Sequence, residues 1–261
     1  MAHALFVFGP AGTGKSTFTK NVFEYGEVTG RRFIRLNLDP AQQTDFEIDI
    51  TDYITVNEIM EELDYGPNGG LVYALQEFLD NIEEIEEIQG IKESDDYLII
   101  DCPGQIELFS HSDEMFRIVE YFKQYFKCCI VYLIEAQYIL DAGKYLAACL
   151  NAMICMMRFS VPHIGVITKI DLLGDKANML EDEMYEGNVY LYPDKRVLDY
   201  VRGNKKYVCF NEKIAQMLED NNLVQYTLVN WEKEDMIIDL MYSIDEAVEY
   251  HDDREPKESF K

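Results

Sequence analysis

The stretch Ala4-Leu5-Phe6-Val7-Phe8-Gly9-Pro10-Ala11-Gly12-Thr13-Gly14-Lys15-Ser16-Thr17 decides the reading of this chain. Five apolar residues in a row suit a strand covered on both faces. The next eight residues fit the spacing G-x-x-x-x-G-K-[ST], and the pattern after Lys15 is helical. A glycine-rich turn between strand and helix curls with its amides inward, at the positive end of the helix dipole, and so cradles phosphate. In such a cradle Gly12, Thr13, Gly14 and Thr17 line the phosphates, and the Lys15 ammonium bridges the β and γ groups. The Ser16 hydroxyl is then a ligand for Mg²⁺.

Working outward, further apolar runs predict strands at Phe33–Asn37, Tyr97–Asp101, Cys129–Ile134, His163–Thr168 and Val224–Val229. Helical patterns fall between them at Lys15–Tyr25, Leu71–Ile88, Asp113–Phe126, Ala142–Met157, Asn211–Asn221 and Glu234–Tyr250. This alternation predicts βαβ units and an α/β fold, a mostly parallel sheet with helices on both faces, with ligands at the strand C-termini. No linker-like tract divides the chain. One domain over residues 1–251 is expected, followed by a polar, disordered tail at 252–261. The acidic runs Glu83–Glu87 and Glu181–Glu186 read as surface insertions.

Composition bounds the function. The chain has 261 residues, 48% of them hydrophobic, enough for a core without staples. Lys plus Arg number 23 and Asp plus Glu 49, a net charge of −26. That balance argues against a protein that coats nucleic acid or anionic lipid, since both demand cationic surface. A local cationic pocket for one small anion remains compatible with it. The six cysteines form no C-x-x-C pair and the four histidines are scattered, so reduced core thiols are expected, not a zinc site. Leu146–Val161 is too short and too polar to span a bilayer, and the opening apolar run is too short for a signal peptide. A cytoplasmic protein is expected.

Phosphate chemistry needs an acid at the end of a second strand. Asp101, followed by Cys102-Pro103-Gly104-Gln105, supplies a carboxylate for Mg²⁺. Gly104 suits a close approach of its amide to the γ-phosphate, and the Gln105 amide suits orientation of a water. Asp39, in Asn37-Leu38-Asp39-Pro40-Ala41, is a second candidate at a strand end. It either joins the Mg²⁺ shell or polarises the attacking water, although an Asp-Pro turn reads the same way from spacing alone. Thr168-Lys169-Ile170-Asp171 follows a third strand. The Asp171 carboxylate can accept from N1–H and the 2-amine of guanine, a pair that adenine lacks, and the Lys169 stem can lie across the base. A fifth element near Thr227–Asn230 is expected to contact the base.

In order, GPAGTGKS, NLDPA, Gly66-Pro67-Asn68-Gly69-Gly70, DCPGQIEL, TKID and the EPKE of the tail resemble the GPN-loop GTPase family over most of the chain. From spacing alone, GPNGG reads as a plain turn and helix start. The resemblance implies a dimeric GTPase, paired with another GPN-loop paralogue or with a second copy. In it the loop Gly66, Pro67, Asn68 reaches the partner's active site, and Asn68 touches the γ-phosphate or the released phosphate. It also implies that Asp39, Asp101, Gln105 and Glu107 manage Mg²⁺ and water. It further implies a role in assembly and nuclear import of RNA polymerase II, and to some extent III, with shuttling to the nucleus and contacts to polymerase subunits. Cys102 and Glu135 depart from residues common among relatives, Thr and Asp. Two other readings stay open. One is a nucleotide-binding assembly module with little turnover. The other is a P-loop small-molecule kinase, which should show an Arg-rich lid where this chain is acidic.

Overall fold

The computed structural model describes residues 2–92, 96–174, 191–193, 195–196, 198 and 205–250. Seven strands form one sheet in the order β3-β2-β4-β1-β5-β6-β7, and every neighbouring pair is parallel. They are β1 (Ala2–Phe8), β2 (Phe33–Asn37), β3 (Ile48–Asp49), β4 (Tyr97–Asp101), β5 (Phe126–Glu135), β6 (His163–Thr168) and β7 (Tyr226–Leu228). Among the described residues the α-helices are α1 (Lys15–Thr29), α2 (Val56–Leu63), α3 (Pro67–Asn81), α4 (Glu86–Lys92), α5 (Ile106–Ser110), α6 (Asp113–Phe122), α7 (Ala142–Arg158), α8 (Val208–Asn221) and α9 (Glu234–Ala247).

The near-continuous apolar strands are buried on both faces, as expected. Alternation along β1 sends Ala4, Phe6 and Phe8 into one core, which α3, α5, α6 and α7 cover with residues such as Phe78, Phe109, Ile118 and Leu146. Leu5 and Val7 enter the other, which α1 and α9 cover with Phe18, Val22, Leu240 and Ile244. The adjacent Cys128 and Cys129 fall in different cores, as period-2 geometry requires. On α1, a Cβ at Gly26 would lie 2.3 Å from the Phe33 ring, so this glycine lets the helix settle on β2.

Several boundaries differ from the sequence expectation. The stretch expected as one helix over Leu71–Ile88 is two helices, α3 and α4, and α3 starts earlier, at Pro67. From the end of α3 through α4, Ile82, Ile85, Ile88 and Ile91 recur every three positions, and all four are buried. Nine residues at about 100° each put Ile91 half a turn away from Ile82 on a straight helix, so the break lets both reach the core. The acidic run Glu83–Glu87 is accordingly tied down through Ile85. Helix α6 stops at Phe122, because Phe126 already pairs with Ala2 as the first residue of β5. Strand β3 went unpredicted, since two residues show no alternation. Glu181–Glu186 and the tail from 252 lie outside the described residues. Among the described residues, no helix is long and apolar enough to cross a membrane.

Candidate nucleotide-binding site

Strands β1, β2, β4 and β6 open onto one edge. Register brings the ends level, with Asp101 opposite both Val7 and Asn37. The loop after β1 needs its glycines. Gly12 and Gly14 have φ of 83° and 90°, and a Cβ on Gly9 would stand 2.6 Å from the Leu133 carbonyl oxygen. Thr13 closes the loop by donating from its amide and hydroxyl to the Pro10 carbonyl, at 3.3 and 2.8 Å. Thr168, at the end of β6, donates its hydroxyl to the Thr13 carbonyl at 2.7 Å and to the Ile134 carbonyl at 3.1 Å. This bond ties the third motif to the first.

Lys15 extends along the loop, with its ammonium 3.4 Å from the Pro10 carbonyl. Burial lowers its pKa, and the Asp101 and Asp39 carboxylates act against that. Asp101 accepts a hydrogen bond from the Ser16 hydroxyl; burial pushes its carboxyl up to about 6, with Ser16 and Lys15 opposing and Asp39 adding to the rise. Gly104 presses on the loop, since a Cβ there would lie 2.8 Å from Ala11 Cα and 2.9 Å from Lys15 Nζ. Lys15, Ser16, Asp39, Asp101, Gly104 and Lys169 border one open cleft of ≈ 360 Å³.

Lys169 adopts a left-handed φ of 58° and donates from its ammonium to the Gly12 carbonyl, so its stem lies over the loop. Its charge is 3.9 Å from the Glu135 carboxylate. Asp171 stands exposed in the 3₁₀ turn that follows, beyond the cleft border. In the fifth element, Asn230 is occupied locally. Its side-chain oxygen accepts from the Glu232 amide at 3.0 Å and its carbonyl from the Lys233 amide at 3.0 Å, which shapes the entry to α9.

Other predicted residues also lie outside the cleft, Asn68 and Gln105 among them. Asn68, in the exposed first turn of α3, accepts a hydrogen bond at 3.2 Å from Gln105 Nε2 of the same chain. Gly66 and Pro67 precede it on the surface, and Glu107 is exposed on α5.

The sequence reading missed Asn37, Gln42 and Thr44, which also border the cleft. The Asn37 side chain accepts from the Asp39 amide at 2.9 Å and donates to the Gln42 carbonyl at 2.7 Å and to Asp49 Oδ1 at 2.9 Å. Asp49, 2% exposed, also accepts from the amides and hydroxyls of both Thr44 and Thr51, at 2.6–2.8 Å. Burial acts to raise its carboxyl, but these donors outweigh it and hold the group below its ordinary value. The turn chemistry of Asn-x-Asp-Pro was the one readable signal for this network.

Fold and cleft together define a P-loop nucleotide-binding protein of the α/β class. Residues 7–250 match a family described as a conserved hypothetical ATP binding protein. The chain is 39% identical to GPN-loop GTPase 3 of Mycosarcoma maydis, covering 98% of this chain and 95% of that one. It is 35% identical to GPN-loop GTPase 3 of Saccharomyces cerevisiae, covering 97% and 95%. The chain belongs to the GPN-loop GTPase family. In fold it matches a GTPase from Pyrococcus abyssi solved in its apo form, with a TM-score of 0.75 over 94% of this chain and 97% of that one, at 24% identity.

Proposed function

We propose that the chain binds GTP with Mg²⁺ and hydrolyses its β–γ phosphoanhydride, working as half of a dimeric switch in the assembly and nuclear import of RNA polymerase II and, to a lesser extent, III. The observation that carries the enzymatic part is the cleft itself. A phosphate loop, a cationic Lys15, a strand-end Asp101 bonded to Ser16 and a glycine with no room for a side chain converge on one space. Preference for guanine over the adenine nucleotide in the matched family's description rests on Asp171, whose carboxylate suits the two donors of guanine.

The residues suit a hard cation. Ser16, Asp101 and Asp39 offer oxygen donors only, few enough that phosphate oxygens and water complete the shell. Bound Mg²⁺ offsets charge on the phosphate oxygens. In the reaction, water oxygen bonds to the γ-phosphorus, the bond from phosphorus to the β–γ bridging oxygen breaks, and GDP and phosphate leave. Lys15 and the amides of the loop and of Gly104 hold the phosphates, while Asp39 and Gln105 orient the water. Asn68 supplies a neutral amide from the partner subunit in the dimer, so acceleration is smaller than a charged group would give.

The bond from Gln105 to Asn68 within one chain favours a second feature. The isolated chain turns over slowly, because Gln105 is engaged outside the cleft. Partners follow from the family resemblance: a GPN-loop paralogue or a second copy, and polymerase subunits, with cytoplasmic residence and shuttling to the nucleus. The test is calorimetry with GTP and ATP in Mg²⁺, then single-turnover hydrolysis over a range of protein concentrations, alone and with a paralogue. Heat with GTP but not ATP, and a rate that climbs with concentration and falls in Asn68→Ala, are expected. Absence of heat with GTP, alone and with the paralogue, removes the reading.

A further inference from the structure

We propose that Asp49 is a positioning residue for Asp39, acting through the side-chain amide of Asn37. The inference rests on the GTPase reading and adds a residue that the motifs do not contain. Asp49 ends β3, ten residues beyond Asp39 in sequence. Its Oδ1 accepts from Thr51 N at 2.8 Å, Thr51 Oγ1 at 2.7 Å and Asn37 Nδ2 at 2.9 Å. Its Oδ2 accepts from Thr44 N at 2.8 Å and Thr44 Oγ1 at 2.6 Å. A helix cap needs only the Thr51 amide. The other four donors make Asp49 a hub for both ends of the loop that carries Asp39.

An ionised carboxylate accepts and cannot donate, so it dictates which end of the Asn37 amide faces it. With Nδ2 turned to Asp49, Asn37 Oδ1 faces Asp39 and accepts its amide hydrogen at 2.9 Å. The same Nδ2 lies 3.2 Å from the Asp39 carbonyl and 2.7 Å from that of Gln42. Asp39 is therefore gripped at both main-chain atoms by one amide whose orientation Asp49 sets. Its carboxylate, bonded to the Ala41 amide at 3.1 Å, keeps one direction at the cleft border. An amide in place of Asp49 presents hydrogens to a nest of donors and lets Asn37 flip.

The experiment compares Asp49→Asn with the wild-type chain. Hydrogen exchange should show lost protection at the Asp39 and Thr44 amides with the rest of the sheet unchanged. The rate of GTP hydrolysis should fall about tenfold while the Kd for a fluorescent GDP analogue stays within about twofold. In an Asp39→Asn background the second substitution should cost nothing further, because both act on one group. Unchanged protection, a wild-type rate, or losses that multiply in the double variant each overturn the proposal. Should Asp49→Asn fail to fold, Asn37→Ala leaves Asp49 with four donors and is judged by the same three readouts. A failure of the GTPase reading appears separately, as a wild-type chain that binds no GTP, and the exchange measurement still decides the role of Asp49.

Discussion

Two buried carboxylates at the same sheet edge show opposite electrostatics. Asp101, at the end of β4, is pushed up to about 6 by burial, with the Ser16 hydroxyl and Lys15 giving partial relief. Asp49, at the end of β3, is as deeply buried, yet its donors carry it below its ordinary value. Asp49 is satisfied by its own chain. Asp101 is not, and the neighbouring Lys15 ammonium is likewise pushed down by burial. A site that must receive phosphate and a cation keeps its polar demand unmet, whereas the scaffold beside it has none left over. Position on the edge does not separate the two roles; the donor inventory does.

Lys15→Ala is the strongest attempt to break this comparison. Removing the one ammonium in the loop should weaken GTP binding by about a hundredfold or more. Because that ammonium is desolvated and bonds only weakly to Pro10, the melting temperature of the nucleotide-free chain should not fall. Loss of stability equal to that of a core variant would mean that Lys15 belongs to the scaffold. Gly104→Ala comes next. Its Cβ meets backbone at Ala11, which cannot swing aside as a side-chain tip can, so the loop shifts. Titration should show GTP affinity lowered by about tenfold, with the fold intact by circular dichroism. Asp171→Asn should affect base choice more than overall affinity, moving preference from GTP towards xanthosine triphosphate, whose base carries an acceptor where guanine carries its 2-amine. An unchanged GTP-to-XTP ratio would take Asp171 out of base recognition.

These three residues were legible because each lies in a contiguous motif whose backbone does the work. The strand, the glycine turn and the helix start are adjacent in sequence, so local rules specify them. The β2–β3 region reads differently. Asn37, Thr44, Asp49 and Thr51 are ordinary polar residues, and they become a unit only when β3 pairs with β2 and brings Asp49 beside Asn37. A strand of two residues leaves no alternation to see, so the pairing that creates the hub was itself unreadable. The split of α3 from α4 was hidden for the opposite reason. A repeat of three between isoleucines looks helical until the drift over nine residues is added up. Gln105 and Asn68 were legible as residues, but their mutual contact joins α3 to the β4 loop, and no spacing encodes it.

The gentlest test compares the two carboxylates by their dependence on pH. Asp101 has a folded pKa above the ordinary value of 3.8, so ionising it costs the nucleotide-free fold. Its contribution is whole below 3.8 and is lost as pH rises through about 6. Asp101→Asn, which keeps an acceptor for Ser16, should therefore raise the melting temperature at about pH 7.5, and the gain should fade as the pH drops through that interval. Asp49 carries the reverse sign. Its ionised form is the stable one in the fold, so its contribution is present above 3.8 and is lost as pH falls through its depressed folded value. Asp49→Asn should lower the melting temperature at neutral pH, and the deficit should persist at pH 5 and close only in stronger acid. Thermal melts of both variants in the nucleotide-free state, at matched ionic strength, separate the cases. If both shift stability in the same direction at neutral pH, the division of this edge into an unmet site and a satisfied scaffold is wrong.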